Sequence, residues 1–409
     1  VLNGKTQEVK ILTLEDCLRI GIDNNLSLEG KRKEIQRSKY GVSENRSKLL
    51  PQINAIAGYS NNFDPPVSVT DGSSYGVPYN ITQTLQHSAN AGLEMQMPLF
   101  NQTLYTSMSI AKVMEEISRL SYGKAREDVI LQISKMYYLG QVTAEQIMLI
   151  KANITRLEEL RDITQAFFDN GMSMEVDLKR VNINLENLKV QYDNAQAMMK
   201  QQLNMLKYIM DYPAEKEIAL TPVNTDSITT VALTGLSENI YELQLSQSQM
   251  QLAERQKKII TNGYIPSLSL TGSWRYAAYT DKGYHWFHSG PSNQWFRSYG
   301  VGLTLRIPIF DGLDKTYKIK KAMIDIENKR LAWEDARKNL QTQYLNAVND
   351  LMNNQRNFKK QKDNYLLAED VYAVTSDRYR EGIASMTEVL QDEMQMSEAQ
   401  NNYISAHYN

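Results

Sequence analysis

The stretch GLEMQMPLF at residues 92–100 returns almost unchanged as GLTLRIPIF at residues 302–310. Both copies begin with Gly-Leu, and both place a proline at the seventh position and a phenylalanine at the ninth. Apolar residues occupy every second position from the leucine onward, which predicts a β-strand, and a proline is expected where a strand gives way to another element. A strand sequence that occurs twice in one chain predicts a tandem repeat.

Two further pairs of stretches extend this duplication. LPQINAIAGY (50–59) matches IPSLSLTGSW (265–274), and FDNGMSMEVDL (168–178) matches YREGIASMTEV (379–389). Each half of the chain is therefore predicted to contain a helix, two strands, a long helix, a glycine turn and a final helix.

The predicted domains follow from the duplication. They are a first repeat at 1–210, a linker at 211–235 and a second repeat at 236–409. The predicted helices are 12–49, 102–169, 173–210, 236–262, 312–380 and 385–409, and the predicted strands are 52–60, 88–97, 266–276 and 298–307.

Composition excludes several functional classes. The net charge of -2 lacks the basic excess of a nucleic-acid-binding protein. The single Cys17 excludes an internal disulfide framework. No nucleotide-binding loop or hydrolytic motif occurs, so we expect no enzyme activity, no cofactor and no catalytic residue. His285 and His288 have the spacing of a metal-binding pair, but we expect no metal site there.

The ten prolines show where long helices can form, because proline breaks a helix interior. They surround the two strand regions and leave long tracts rich in good helix formers. Heptad seams run along the tract 102–169, from Val129 to Leu157, and again from Trp333 to Leu351. A helix covering 102–169 would be roughly 100 Å long, which predicts an extended coiled coil. The alternative is a set of ordinary amphipathic helices in a globular bundle.

The four predicted strands each have one apolar face and one small or polar face. The charged and amide side chains of the polar faces include Glu94, Gln96, Arg275 and Arg306. Prolines mark the expected strand–helix junctions at Pro51, Pro98, Pro266 and Pro308. Strands of about ten residues with this alternation are typical of an outer-membrane barrel, with lipid outside and water inside. A half-buried sheet over a soluble core shows the same alternation and is the alternative.

Four strands cannot close a barrel, since about eight are needed to enclose even a filled interior. An open sheet edge in lipid would leave backbone groups unpaired at several kcal/mol each. If these strands span a membrane, the barrel must therefore be shared between chains.

The tandem arrangement resembles the outer-membrane efflux proteins of the TolC family. The similarity covers nearly the whole chain and includes LTLEDCLRIGIDNN, MPLFN, IPIFDG and YREGIASMTEVLQ. It implies a mixed α/β, mainly α membrane protein, in which a long coiled-coil helical tunnel joins a trimeric twelve-stranded β-barrel. Three chains would supply four strands each, in the outer membrane of a Gram-negative bacterium. The helices would extend into the periplasm, and the linker at 211–235 would belong to the equatorial region of the tunnel.

The same resemblance implies a gate at the tunnel entrance. The turns at Gly171 and Gly382 would form the helical tips, where Asp177, Tyr379 and Glu388 occupy positions that close or line the tunnel in the family. A contact between Tyr379 and Asp177 would then hold the tip closed. Three copies of Glu388 would form a cation-favouring ring. Alternatively, both carboxylates simply stabilise the N-termini of the helices that follow the turns.

Two tip positions depart from the family pattern. Ala384 stands where an arginine is expected, and Gln391 stands where a second constricting aspartate is expected. Arg378 and Arg380 are the candidates to replace the missing arginine.

The function implied by the resemblance is that of an exit duct in a tripartite efflux pump. Its partners would be a periplasmic adaptor protein, docking at 165–180 and 375–392, an inner-membrane transporter and outer-membrane lipid. The alternatives are a type I protein-secretion duct and a structural or adhesive coiled-coil protein with a soluble β-domain.

Overall fold

The computed structural model describes residues 10–65, 67–71, 73, 76, 78, 80–83, 85–222, 239–280 and 295–409. The helices are α1 (Leu14–Asn24), α2 (Leu26–Ser47), α3 (Gln102–Asp169), α4 (Glu175–Met210), α5 (Tyr241–Asn262), α6 (Asp314–Arg380) and α7 (Met386–Tyr408). The strands are β1 (Lys10–Leu12), β2 (Gln52–Asn61), β3 (Val67–Thr70), β4 (Asn80–Gln83), β5 (His87–Phe100), β6 (Ile218–Leu220), β7 (Ser267–Thr280) and β8 (Trp295–Arg306). His285 and His288 lie outside the described residues. So do residues 223–238, which comprise the end of the predicted linker and the start of the helix predicted at 236–262.

Contacts divide the chain into two compact units. The helical unit comprises Val1–Lys33, Leu120–Gln244 and Glu334–Asn409, and the sheet unit comprises Glu34–Arg119 and Leu245–Trp333. Each unit draws segments from both predicted repeats. None of the helices in the described residues is long and apolar enough to cross a membrane.

The prediction of one helix over 12–49 is wrong, because the structure breaks it at Asn25. The Asn25 side chain accepts a hydrogen bond from the Leu28 N–H (3.1 Å) and donates one to the Ile209 carbonyl (2.7 Å). An asparagine side chain that caps the next helix in this way replaces the backbone hydrogen bonds of a continuous helix. The first helix begins at Leu14, after Thr13 forms a capping box with Asp16.

The short parallel pair of β1 and β6 was not predicted. Lys10, Ile11 and Leu12 pair with Ile218, Ala219 and Leu220. The stretch EIALTP (217–222) reads as strand-like in the sequence, but Leu12 was assigned to the first helix, and no local pattern reveals a pairing between segments about 200 residues apart. This pair joins the start of the first repeat to the linker within the helical unit.

The two largest of the apolar cores described in the helical unit are formed by residues from several elements. One joins α3 and α4 to the C-terminal half of α6 and to α7, and includes Leu157, Leu160, Val181, Leu185, Tyr372, Tyr379, Val389 and Met396. The other joins β1, α1, α2, α3, α4 and β6, and includes Leu12, Cys17, Leu28, Ile133, Leu206, Met210 and Ile218. The predicted seam of α3 is buried or half-buried at every heptad position from Val129 to Leu157. The α3 helix is continuous over 68 residues and α6 over 67.

The sheet unit contains a four-stranded sheet in the order β2-β5-β7-β8, with every neighbour antiparallel. The first two strands and the last two strands form hairpins, and β5 pairs with β7 across the repeats. Within the described residues, β2 and β8 each pair on one side only. Hydrogen bonds connect the helices within the sheet unit. Asn262 of α5 donates to Thr106 of α3 (2.6 Å), and the hydroxyls of Ser38 on α2 and Ser118 on α3 lie 2.7 Å apart.

Candidate lumen face and helical tips

The strand register places all four predicted polar faces on one side of the sheet. One row across the strands reads Asn54, Glu94, Ser273 and Gly300, and the next reads Gln52, Gln96, Thr271 and Gly302. The intervening row on the other side reads Ile53, Met95, Gly272 and Val301, and the row beyond Asn54 reads Ala55, Leu93, Trp274 and Tyr299. The sheet therefore has a continuous polar face and a continuous apolar face, as the alternation in each strand predicts.

The polar face carries an ion pair between Glu94 and Arg275. These residues are diagonal neighbours, because Glu94 pairs with Ser273 while Arg275 pairs with Gly92. The pair borders a recess of about 440 Å³ that Asn54, Gln96 and Thr271 also line. Gly300 and Gly302 complete its floor, where the absence of side chains leaves the space open. Arg306 lies on the same face at the end of β8, opposite Ser267.

The four prolines occupy two kinds of position. Pro51, Pro266 and Pro308 lie in the connections between a helix and a strand. Pro98 instead lies inside β5, opposite Ser269, and the strand continues to Phe100 before α3 begins at Gln102. A register shift between Pro98 and Phe100 accommodates the proline, which has no N–H to give to the ladder.

The glycine turns at the two helical tips have the same backbone geometry. Gly171 and Gly382 both have φ of 73°, the left-handed region in which glycine is favoured. In the first turn the Gly171 N–H donates to Phe168 (2.9 Å) and the Met172 N–H to Phe167 (2.8 Å). In the second, Gly382 donates to Tyr379 (2.9 Å) and Ile383 to Arg378 (2.8 Å). Both are Schellman motifs, so the sequence match between the two tips is also a structural match.

The two tip carboxylates differ in their partners. Glu388 forms a capping box with Ser385: the Glu388 N–H donates to the serine hydroxyl (3.3 Å), and its carboxylate accepts from the Ser385 N–H (3.1 Å). Asp177 lies in the first turn of α4 and pairs with Arg180 at 3.3 Å. The capping role that the sequence offered as an alternative is therefore present for Glu388. Its place in a ring remains a prediction.

Tyr379 does not have the partner that the resemblance implied. Its side chain is only 5% exposed, its ring packs against Phe167 with centroids 5.5 Å apart, and its hydroxyl donates to Thr164 (3.4 Å). The Asp177 carboxylate forms an ion pair with Arg180 instead. The expected Tyr379–Asp177 contact is thus replaced by one within the apolar core, because the ring is buried between α3 and α6.

The two candidates for the missing arginine, Arg378 and Arg380, lie at the end of α6. Arg380 extends towards Glu159 and Asp377, each at 3.5 Å. The Arg378 carbonyl accepts the closing hydrogen bond of the second glycine turn.

A polar seam, meaning a row of polar residues on the buried face of α7, was not predicted from the sequence. Its heptad positions alternate between apolar residues (Met386, Val389, Met396, Tyr403) and polar ones (Glu393, Gln400, His407), and all are buried or nearly so. Gln400 accepts from Asn153 (2.6 Å), and His407 lies 2.8 Å from Glu145. The signal was present as three polar residues at successive seven-residue intervals, but polar residues are easily assigned to the solvent face of a helix.

Two carboxyl groups in this seam have opposite pKa shifts. Burial raises the pKa of Glu393, and the positive charge of Arg156 only partly opposes this effect. Burial also acts to raise the pKa of Glu145, but hydrogen bonds from His407 and Tyr403 outweigh it and leave the pKa lowered. The pKa is therefore raised for the carboxyl group of Glu393 on α7 and lowered for that of Glu145, which contacts α7 from α3.

A sheet with one polar and one apolar face, combined with long paired helices, is the construction of an outer-membrane channel subunit. The outer membrane efflux protein family model matches residues 20–210 and 235–409. The chain belongs to this family.

Individual relatives are distant in sequence but similar along most of their length. The chain is 21% identical to the outer membrane protein TolC of Vibrio cholerae, with 90% of this chain and 81% of that protein covered. It is 23% identical to the toluene efflux pump outer membrane protein TtgC of Pseudomonas putida, covering 95% and 78%. The solved outer membrane channel MtrE of Neisseria gonorrhoeae, in its open state, superposes with a TM-score of 0.76 at 19% identity, covering 97% and 85%.

Proposed function

We propose that this chain is the exit duct of a tripartite efflux pump, and that three copies form one channel. The observation that carries the proposal is the four-stranded sheet, which is predominantly polar on one face and predominantly apolar on the other, and in which β2 and β8 each pair on one side only within the described residues. In lipid such edges must be paired, and joining β8 of one copy to β2 of the next pairs them without any new element. Three copies then supply twelve strands, enough to enclose a water-filled lumen.

The helices support assembly with a second copy. On α4, apolar side chains recur at spacings of seven or eight residues on the side away from the core, and each is 43–61% exposed: Val176, Ile183, Val190, Met198 and Met205. On α6, Leu345, Met352 and Leu366 are 46–54% exposed at spacings of seven and fourteen residues, with Lys359 at the heptad position between the last two. Heptad stripes of this kind are typical of a coiled-coil interface, and copies of the same chain supply the matching surface.

The helical tips are proposed as the gate and as the docking surface for the periplasmic adaptor, over 165–180 and 375–392. Exposed apolar residues at both turns support docking: Met172 is 69% exposed, Met174 is 66% exposed and Ile383 is 63% exposed. Glu388, exposed at the start of α7, is proposed to form a cation-favouring ring with its copies. An inner-membrane transporter would supply the energy.

Conductance in a planar bilayer tests this proposal. The purified protein in detergent is expected to form discrete, small, cation-favouring openings. Glu388→Gln should lose the cation preference while it keeps the capping box, because glutamine supports the same hydrogen bonds without the charge. Glu398→Gln, an exposed position farther along α7, is the matched control and should behave as wild type.

Asp177→Ala extends the same experiment to the gate. Loss of the Arg180–Asp177 ion pair in the first turn of α4 should enlarge the openings if this turn holds the tip closed. Protein that stays monodisperse without detergent and never inserts into the bilayer would sink the exit-duct proposal.

A further inference from the structure

The charges on the strands of the sheet are few and unevenly distributed between its faces. The four strands contain Glu94, Arg275, Arg297 and Arg306 as their only Asp, Glu, Lys or Arg residues. Strand alternation puts Glu94, Arg275 and Arg306 on the polar face. Arg297 lies on the other face, where its guanidinium stands 5.8 Å from the Tyr299 ring centroid.

Two of the three polar-face charges cancel. The Glu94–Arg275 ion pair leaves the recess between β5 and β7 with no net charge. Arg306 is exposed at the end of β8 and has no ion-pair partner in the described part of the chain. Its partner in the register, Ser267, is neutral. The polar face therefore carries one uncompensated positive charge per chain.

Resting on the proposed exit duct, we infer that Arg306 makes the barrel lumen favour anions, and that Glu94 limits this preference by neutralising Arg275. Three copies of Arg306 would form a ring at one end of the sheet, and rings of arginine favour anions in pores. This preference opposes the cation preference proposed for Glu388 at the helical tips. The solutes that the lumen selects against would thus be small cations, and those it accepts most readily would be anionic or neutral.

The sign of each effect follows from electrostatics in water. A unit charge about 10 Å from the pore axis changes the local ion concentration by roughly twofold, and the effect is largest at low salt because the Debye length is about 10 Å at 0.1 M. Glu94→Gln frees Arg275 and should raise the chloride-to-potassium permeability ratio. Arg275→Gln frees Glu94 and should lower this ratio, and Arg306→Gln should also lower it.

The test measures this permeability ratio from the reversal potential of single channels in a potassium chloride gradient. Each single substitution changes three charges in the trimer and should shift the ratio by at least about twofold, in the direction given above. The double variant Glu94→Gln/Arg275→Gln should return to the wild-type ratio, because it removes a neutral pair. Arg297→Gln removes an arginine from β8, the strand that also carries Arg306, but from its apolar face. This variant should leave the ratio unchanged.

Several outcomes overturn the inference. It fails if Glu94→Gln and Arg275→Gln shift the ratio in the same direction, if the double variant stays shifted, or if Arg306→Gln leaves the ratio unchanged or raises it. Every variant is scored only in records that contain single-channel openings, so that misfolded protein does not contribute. Absence of openings from the wild-type protein would contradict the exit duct itself, whereas normal openings with an unshifted ratio contradict only the lumen charge.

Discussion

Glu393 shows how one residue can tie the stability of the helical unit to pH. It is 6% exposed on the seam of α7, faces Arg156 of α3 and Tyr372 of α6, and has a pKa above its ordinary value of 4.5. A raised pKa means that the folded protein binds the proton more tightly than the unfolded chain does. The contribution of Glu393 to stability is therefore greatest below pH 4.5 and is lost as the pH rises through its pKa in the folded protein.

Glu393→Gln should remove this pH dependence. The thermal midpoint of wild type, followed by circular dichroism in detergent, should fall more between pH 5 and pH 8 than that of the variant, whose amide stays neutral. The variant should therefore be the more stable protein at pH 8. Glu398→Gln, at an exposed position on the same helix, should follow the wild-type profile. Parallel profiles for wild type and Glu393→Gln would refute the buried-proton explanation.

Gly382 stabilises the turn between α6 and α7 through its backbone conformation. Its φ of 73° costs a residue with a β-carbon about 1–2 kcal/mol. Gly382→Ala should loosen the turn, and amide hydrogen exchange in the peptide 378–390 should be roughly tenfold faster. Gly30→Ala is the control, because Gly30 lies inside α2 with nothing within 4 Å, and alanine is favoured there. Unchanged exchange in the peptide containing Gly382→Ala would show that the turn does not depend on glycine.

At the scale of elements, the polar seam determines how α7 lies along α3. Apolar heptad positions are interchangeable between layers, whereas a buried amide or carboxylate needs one particular partner. Gln400 finds Asn153, and Glu145 accepts from both Tyr403 and His407. Sliding α7 by one heptad would separate these pairs and bury unpaired polar groups, so the seam gives the two helices a single alignment.

Gln400→Leu should therefore destabilise the protein although leucine is the more apolar residue. The Asn153 amide would be left buried without its partner, which costs about 1–3 kcal/mol. The midpoint of chemical unfolding in detergent should fall accordingly. Gln395→Leu makes the same change at an exposed position of α7 and should have little effect. Equal stability of the two variants would mean that the Asn153–Gln400 pair does not align the helices.

The elements also show how much of the fold the sequence predicts. Prolines, heptads and alternation predicted the four sheet strands and the six long helical tracts, because each signal lies within one segment. The break at Asn25 and the β1–β6 pair were missed, since both depend on residues about 200 positions away. The packing of Tyr379 against Phe167 was not predicted for the same reason, because it depends on how α3 packs with α6.

At the scale of the whole molecule, the exposed stripe on α4 is expected to hold the proposed trimer together. Ile183 and Val190 are 61% and 59% exposed in one copy, and burying such side chains stabilises an assembly by about 1.5–3 kcal/mol each. Ile183→Glu/Val190→Glu should shift the detergent-solubilised protein from trimer to monomer in sedimentation or light-scattering measurements.

The control for this assembly prediction is Asn182→Glu, which introduces a negative charge at an exposed position beside the stripe. It should remain trimeric. Helical circular dichroism of each variant separates loss of assembly from loss of folding. A folded Ile183→Glu/Val190→Glu variant that stays trimeric would exclude the α4 stripe as an interface.

The sequence by itself predicted the four strands of the sheet, the long helices α3 and α6, and which face of each strand is polar. These properties repeat at intervals of two, three, four or seven residues, so neighbouring residues suffice to reveal them. Only the tertiary structure decided that the four polar faces align on one side of the sheet, that Glu94 neutralises Arg275, and that the polar residues of α7 lie inside the protein. Those features depend on which distant segments meet, and that choice is made by the packing of the whole chain.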